Sequence, residues 1–434
     1  MTKTTKHKII LGCTIVLTLL LTNQTVYAFT TERDILYTST LDNLTLKIDV
    51  SYDENATNQP VILILGGHNG TFSGTDIPER FAQYGLFAAK VYKRGFNGSQ
   101  GVSDDSGREV YDIIDASEYI KENFSEFIDE ENINVVGYSG GGGNVFGLIT
   151  KFPDYFNTAI SFFGISDYAS WYNFNTGANR GETIQTRVGS IPEEVLDNYS
   201  ARAHYLGASN NPYTNIQLFH DAQDAIVPIE QSYLFRGSGL DNIVMNVSNE
   251  GDAIRWIHGY PENGTDLVIA EKMFIPGIVQ GIRKKTELAE FGTLFVPGYV
   301  KTKDFFIILG DGTNEAGNLE YDIDGTFKIT TVTGDAEFLF KRYNLEPDSE
   351  YIVNNTVIQT DSSGTLTISG IVPNFYIIGP IEMPKPNGPS SRPELIPTHE
   401  LSDNDFIGLM KIARNIIVSF ITTLLEPIRF NFNI

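Results

Sequence analysis

The chain has 434 residues, of which 41% are hydrophobic and 20% charged, with 28 Phe and 21 Tyr. That is ample apolar material for a core, and the length fits two or three domains, so a disordered or low-complexity chain is excluded. Lys and Arg total 31 against 54 Asp and Glu, a formal charge of −23 with no basic run to offset it; such a chain repels phosphate backbones, and nucleic acid is excluded as the expected partner.

Residues 1–28 differ from the rest. Lys3, Lys6 and Lys8 precede an apolar stretch from Ile9 to Leu21, followed by Val26-Tyr27-Ala28. This charged, apolar, small-residue order predicts a secretory signal peptide, the apolar stretch being short for a membrane span. Removing it takes the charge from −23 to −26. The single cysteine, Cys13, lies inside the segment, so the mature chain is expected to lack disulfides, thiolate chemistry and cysteine metal sites. A secreted or cell-surface location follows.

From Asp34 to about residue 290, apolar runs alternate with amphipathic stretches. Val61–Leu65, Leu86–Tyr92, Ile133–Val136, Ala159–Phe163 and Ile216–Phe219 are short apolar runs bounded by turns, as expected of strands buried on both faces of a mostly parallel sheet. Ile77–Tyr84 and Tyr111–Glu122 read as helices between them, which predicts an α/β domain over 29–292 with helices on both faces. Beyond 292 the texture changes to short strand-like runs at 294–296, 305–308, 327–329, 338–340, 351–353 and 365–368, punctuated by Gly-containing turns. This predicts a small all-β sandwich over 293–383. A Pro-rich linker (384–400) and a C-terminal segment (401–434) follow; residues 406–425 carry an amphipathic helical pattern that would suit either docking on the protein or lying on a membrane surface.

Gly137-Tyr138-Ser139-Gly140-Gly141 stands between the 133–136 run and a helix-forming stretch. A G-x-S-x-G sequence in that context makes a tight strand-to-helix turn that exposes the serine hydroxyl. Such a nucleophile needs a carboxylate and a base, which follow it in that chain order. Asp224 lies on the loop after the 216–219 run. Of six histidines only His258 and His399 come later, and His399 falls in the Pro-rich linker. Taken singly, Asp224 reads as a turn carboxylate and His258 as a surface histidine; the order of the three is what points to Ser139, Asp224 and His258 as a catalytic triad. The oxyanion hole is expected from the N–H of Gly140 and a second N–H, of Gly67 or His68, in the loop Gly66-Gly67-His68-Asn69-Gly70. Tyr138, Tyr168, Trp171 and Tyr172 are candidates to line the acyl pocket.

With these residues in place, the chain resembles α/β hydrolases close to the prolyl oligopeptidase catalytic domain and the dienelactone-hydrolase-like esterases, over about residues 55–285. Tyr92–Ser99 is similar to the family's strand-end Arg-Gly loop, and Gly164–Tyr168 and Val188–Arg202 resemble segments of the same fold. Two features depart from the pattern: a histidine follows the glycines of the oxyanion loop instead of preceding them, and fewer than 40 residues separate Ala28 from the 61–65 run, too few for the large propeller carried by the family's peptidases. The resemblance therefore implies a serine hydrolase acting through an acyl-enzyme, with a carboxylic ester as the expected substrate and a propeller-free peptidase as the alternative. A non-catalytic surface binding protein on a hydrolase scaffold is the second alternative.

Neither cofactor nor metal is called for. Asp322-Ile323-Asp324-Gly325 begins like a calcium loop, but Thr333 stands where the twelfth-position Glu belongs, so a β-turn is expected. Nine N-x-S/T sites follow residue 28: Asn43, Asn55, Asn69, Asn97, Asn123, Asn198, Asn246, Asn263 and Asn354. Asn69, Asn97 and Asn263 fall near the predicted catalytic loops and are expected to be unmodified.

Overall fold

The computed structural model describes residues 29–383, apart from segments at 73–75, 238, 259–264, 281–287, 324, 333, 373–374 and 380. The predicted signal peptide, Pro-rich linker and C-terminal amphipathic segment lie outside the described residues, as do Asn263 and His399.

The first strands are β1 (Thr30–Thr38), β2 (Thr45–Tyr52) and β3 (Gln59–Leu65), followed by helix α1 (Ile77–Ala82) and β4 (Phe87–Val91). Then come α2 (Glu109–Phe124), β5 (Ile128–Tyr138), α3 (Gly140–Lys151) and β6 (Thr158–Phe162). Three short helices, α4 (Tyr168–Phe174), α5 (Asn179–Val188) and α6 (Leu196–Ser200), and a 3₁₀ turn at His204–Asn210 precede β7 (Asn215–Asp221). Helix α7 (Glu230–Arg236), β8 (Ile243–Ser248) and α8 (Thr265–Val279) complete the α/β part.

These eight strands form one sheet in the order β1-β2-β4-β3-β5-β6-β7-β8. The pairings β1–β2 and β2–β4 are antiparallel; those from β4 to β8 are parallel. Alternation along each strand divides its residues between two cores, because successive side chains leave a strand on opposite faces. Val61, Leu63, Leu65, Val135 and Leu218 pack on one side with Ile113, Ile120, Phe146 and Ile149 of α2 and α3. Ile62, Ile64, Val136, Ile160 and Phe219 face the other, against Phe81 of α1 and Phe274 and Ile278 of α8. A strand covered on both faces needs a continuous apolar run, which is why β3, β4 and β6 are wholly buried. The α4–α6 excursion has a small core of its own, with Tyr168, Trp171, Ile184, Val188 and Tyr199.

From Phe291 the chain is all β: β9 (Phe291–Pro297), β10 (Tyr299–Lys301), β11 (Phe305–Leu309), β12 (Ala316–Asp322), β13 (Phe327–Thr331), β14 (Ala336–Arg342), β15 (Glu350–Val353), β16 (Thr356–Gln359), β17 (Leu366–Val372) and β18 (Phe375–Ile378). Two four-stranded antiparallel sheets, β10-β11-β14-β17 and β18-β13-β12-β9, enclose a core that includes Val296, Phe305, Leu319, Phe327, Phe340 and Ile368. Past Asp322 the chain is tied by Gly325 N–H, which donates to Asp322 O at 3.0 Å.

The β region is bound to the α/β region by buried polar links. Asn210 and Phe295 exchange two hydrogen bonds, Nδ2 to the Phe295 carbonyl at 2.8 Å and Phe295 N–H to Oδ1 at 3.0 Å. Lys151, fully buried at the end of α3, donates to Pro297 O and lies 4.2 Å from the Tyr299 ring centre. Tyr299 packs beside Tyr111 and Phe152 and donates to Gly107 O at 3.2 Å. Arg202 donates to Thr313 O at 2.7 Å, and Asp154 accepts from Lys303 N–H at 2.8 Å.

Candidate active site

Ser139 stands between the end of β5 and the start of α3, with φ 57° and ψ −119°. Positive φ in a non-glycine residue costs about 1–3 kcal/mol and persists only where the surroundings impose it. Here Ser139 N–H donates to Phe162 O and Gly143 N–H to Ser139 O, both at 3.0 Å. The flanking glycines are required by contact: a Cβ on Gly137 would lie 2.1 Å from Gly141 O, and one on Gly140 would lie 2.5 Å from the His68 Cα.

Asp224 sits on the loop after β7. Its Oδ1 accepts from the backbone N–H of Ile226 at 2.8 Å and of Val227 at 3.0 Å. Its Oδ2 is 2.8 Å from His258 Nδ1. Burial pushes the Asp224 pKa upward, but hydrogen bonds from His220 and His258, the charge of His258 and the Val227 N–H outweigh it and hold the group well below the usual carboxylate range. A carboxylate only accepts, so Nδ1 of His258 carries the proton and Nε2 offers a lone pair. That lone pair is 2.9 Å from Ser139 Oγ. The three residues picked out by motif and chain order thus lie on one hydrogen-bonded line.

Two further side chains adjoin the triad, and to one of them, His220, sequence reasoning assigns no role. Phe163, with φ 40°, places its ring 4.5 Å from the His258 ring. His220 is fully buried; its Nδ1 is 2.8 Å from Ser232 Oγ and its Nε2 is 2.9 Å from Val227 O and 3.4 Å from Asp224 Oδ2. With its proton on Nε2, His220 ties the acid-bearing loop back onto β7. The signal for it was adjacency alone, since His220 precedes Asp224 by one helical turn in sequence.

At the oxyanion loop the two N–H candidates separate. Gly67 N–H is spent on Thr71 O at 2.7 Å. His68 N–H has no acceptor among the described residues, and its nitrogen would lie 2.7 Å from a Cβ on Gly140. Gly140 N–H belongs to the first turn of α3, where the helix supplies no acceptor. Gly140 and His68, the two N–H groups next to one another at the nucleophile turn, are thus without acceptors among the described residues, whereas the Gly67 N–H is already engaged. The His68 imidazole is not turned to the nucleophile; Nε2 lies 2.8 Å from Asp105 Oδ1.

Two of the four aromatic candidates, Tyr168 and Trp171, are corrected by their burial. Tyr168 is fully buried, its hydroxyl 2.9 Å from Ser106 Oγ. Trp171 is 1% exposed and donates Nε1–H to Ile226 O at 2.9 Å. Tyr138 stacks on Phe162 at 4.9 Å with its hydroxyl buried. Tyr168 and Trp171 are core and form no open wall; Tyr138, beside the nucleophile, is half-buried with its hydroxyl inside, and Tyr172 is also half-buried. The strand-end loop is anchored by Arg94, which grips Asp112 through Nε at 2.6 Å and Nη2 at 2.7 Å.

The strand order and the turn at Ser139 define an α/β-hydrolase fold. Residues 98–238 match the model of the Prolyl oligopeptidase family, a stretch that contains Ser139 and Asp224 and stops short of His258. No curated protein is detectably similar in sequence. Among solved structures, the acylaminoacyl peptidase of Pyrococcus horikoshii is similar with a TM-score of 0.50 and 20% identity, over 63% of this chain and 44% of that one. A puromycin-hydrolyzing peptidase of Mycobacterium tuberculosis gives 0.49 and 19%, over 59% and 40%. An esterase of Pyrococcus furiosus gives 0.43 and 14%, over 60% and 94%. The chain thus spans less than half the length of that acylaminoacyl peptidase.

Proposed function

We propose that the protein is a serine hydrolase that cleaves carboxylic esters through an acyl-enzyme. The observation carrying this reading is the line Asp224–His258–Ser139, with contacts of 2.8 and 2.9 Å. His258 takes the Ser139 proton as Oγ attacks the carbonyl carbon; Asp224 keeps the imidazole in the Nδ1–H tautomer and stabilises its charge. The N–H groups of Gly140 and His68 meet the oxyanion. His258 then protonates the leaving group, and water, deprotonated by His258, releases the acid. The family match and the similarity to the acylaminoacyl peptidase support a hydrolase and keep a peptidase as the alternative. An ester is favoured because this line suffices for a good leaving group. An amine leaves poorly, and its expulsion draws on binding contacts remote from the reacting carbon.

Ser139→Ala is expected to abolish hydrolysis of a short-chain p-nitrophenyl ester with the fold intact, by a factor of about 10⁴ or more, and His258→Ala to do nearly the same. Asp224→Asn should lose about as much through the wrong tautomer. Near-wild-type turnover by Ser139→Ala would end the reading. Higher kcat/KM on an aminoacyl p-nitroanilide than on the ester would replace the esterase by a peptidase. Failure of the folded protein to label with a fluorophosphonate would favour a binding protein on this scaffold.

Export is part of the proposal, on the charge and apolar order of residues 1–28; exposed Asn43, Asn55 and Asn123 are then open to glycosylation. Secretion of a reporter fused after Ala28, lost when residues 9–21 are deleted, tests it.

A further inference from the structure

The Ser139–His258–Asp224 line does not account for a buried charged cluster on the far side of the oxyanion loop. Arg187, near the end of α5, donates from Nη1 to the carbonyl of His68 at 2.9 Å and to Asp105 Oδ1 at 3.1 Å. From Nη2 it donates to Asn69 Oδ1 at 3.0 Å. The same Asp105 oxygen faces His68 Nε2 at 2.8 Å. His68 is therefore held by its carbonyl, while its ring abuts Asp105 and meets Trp171 edge-on at 5.1 Å.

Asp105 is itself fixed. It is fully buried, and both it and Ser106 have positive φ, 52° and 67°, conformations that a chain keeps only when its surroundings impose them. Arg202 Nε donates to the carbonyls of Asp104 and Asp105 at 2.9 and 3.0 Å, and Glu109 accepts from Ser106 N–H at 3.0 Å. Burial alone would raise the Asp105 pKa; the facing His68 and Arg187 outweigh it and hold the group below the usual carboxylate value. Nor does Arg187 have a free face for a substrate, since its head is shared among three acceptors, its side chain is 10% exposed and Phe96 lies beneath it at 5.4 Å.

We propose that Arg187 and Asp105 are positioning residues: by gripping the carbonyl and abutting the ring of His68 they fix the backbone torsions of that residue, so that its N–H, which belongs to the preceding peptide, stays pointed at the developing oxyanion on a substrate attacked by Ser139. The proposal rests on the hydrolase reading above. An oxyanion donor acts on the tetrahedral state and little on the bound ester, so loosening it has a kinetic signature that lost stability does not.

The test compares the full chain with Arg187→Lys, Asp105→Asn and His68→Ala, the last keeping the backbone N–H while removing the ring. Each folded variant is assayed for kcat and KM on a p-nitrophenyl ester and for Ki of a trifluoromethyl ketone, whose hemiketal oxygen occupies the oxyanion position. The expected result is a fall in kcat of about 10- to 100-fold, KM within about 3-fold, and a Ki that rises in parallel with the loss in kcat/KM. Arg187→Lys, which keeps the charge and one donor direction, should lose least and serves if Asp105→Asn does not fold. A raised KM with unchanged kcat would overturn the proposal by making Arg187 a substrate contact. A lowered melting temperature with unchanged kcat and Ki would overturn it by making the cluster purely structural. Absence of turnover and of fluorophosphonate labelling in the wild type would remove the hydrolase reading, and this proposal with it. Turnover in the wild type with unaffected variants removes the proposal alone.

Discussion

Asp154 follows α3 and is 5% exposed, with Oδ2 accepting the Lys303 N–H across the junction with the β region. Burial pushes its pKa up to about 6 against the opposing pull of the Lys303 N–H and charge. A carboxyl whose folded pKa exceeds its unfolded value of about 3.9 favours the folded state below that value, and the contribution is lost as pH rises through the folded pKa. Asp154→Asn keeps an oxygen for Lys303 and has no charge to bury. It should match the wild type near pH 4 and become more stable between pH 4 and 6, by at most about 3 kcal/mol at pH 8, from roughly two units at 1.36 kcal/mol each. Urea unfolding across that range checks it; a gap independent of pH would refute the assignment. At this scale the sequence exposes what is written locally: Ser139 in its glycine turn, Asp224 after a strand, His258 as one of two later histidines. Arg187 and Asp105 lie 82 positions apart, in no motif, and nothing local announces their pairing. Tyr168 and Trp171 were misplaced for a related reason, because an aromatic residue near a nucleophile reads the same whether it walls a pocket or fills a core.

Among the elements, the central strands are legible because burial on both faces demands unbroken apolar runs, as in Val61–Leu65. The edge strands are not. β1 reads Thr-Thr-Glu-Arg-Asp-Ile-Leu-Tyr-Thr and is mostly exposed or half-buried, with a register shift between Glu32 and Ile35, so neither an apolar run nor a clean alternation marks it. β12, an inner strand, is hidden for another reason: it does alternate, burying Leu319 and Tyr321, yet its Gly and Asn weaken any strand propensity. The turn from β5 into α3 is the element on which the site depends, and its tolerance is testable. Gly137→Ala drives a Cβ to 2.1 Å from the Gly141 carbonyl oxygen, and both partners are backbone. It should cost about 3 kcal/mol or more and abolish activity, since relief requires moving Ser139. Gly277 in α8 is the contrast: a Cβ there meets nothing within 4 Å. Gly277→Ala should stabilise by about 0.5–1 kcal/mol through helix propensity and leave kcat unchanged. Thermal melts and ester kinetics on both variants decide it, and a tolerated Gly137→Ala would mean the turn is looser than its contacts imply.

For the whole molecule, the sequence suggests that residues 29–292 suffice, since the eight-stranded sheet is complete at Ser248 and the β region supplies none of Ser139, Asp224 or His258. The packing argues against independence. Cutting after Gly292 removes Tyr299 from Tyr111 and Phe152, which are 9% and 2% exposed, and opens the end of α3, the helix that follows Ser139. It strands Lys151, whose carbonyl partner Pro297 is lost and whose pKa burial holds far below the usual lysine value. It also breaks the reciprocal Asn210–Phe295 pair and the Arg202 bond to Thr313, leaving buried donors and acceptors unmade at about 1–3 kcal/mol each. A domain of this size has only about 5–15 kcal/mol to lose. Residues 29–292 should therefore be insoluble or melt more than about 10 °C below residues 29–383, the shift expected when several kcal/mol are withdrawn from a domain of this length. Residues 29–383 retain every link described and should keep full kcat on a soluble ester. A shorter fragment that is soluble, melts like the longer one and turns over at the same rate would show that the β region is an appendage and that its buried contacts contribute little.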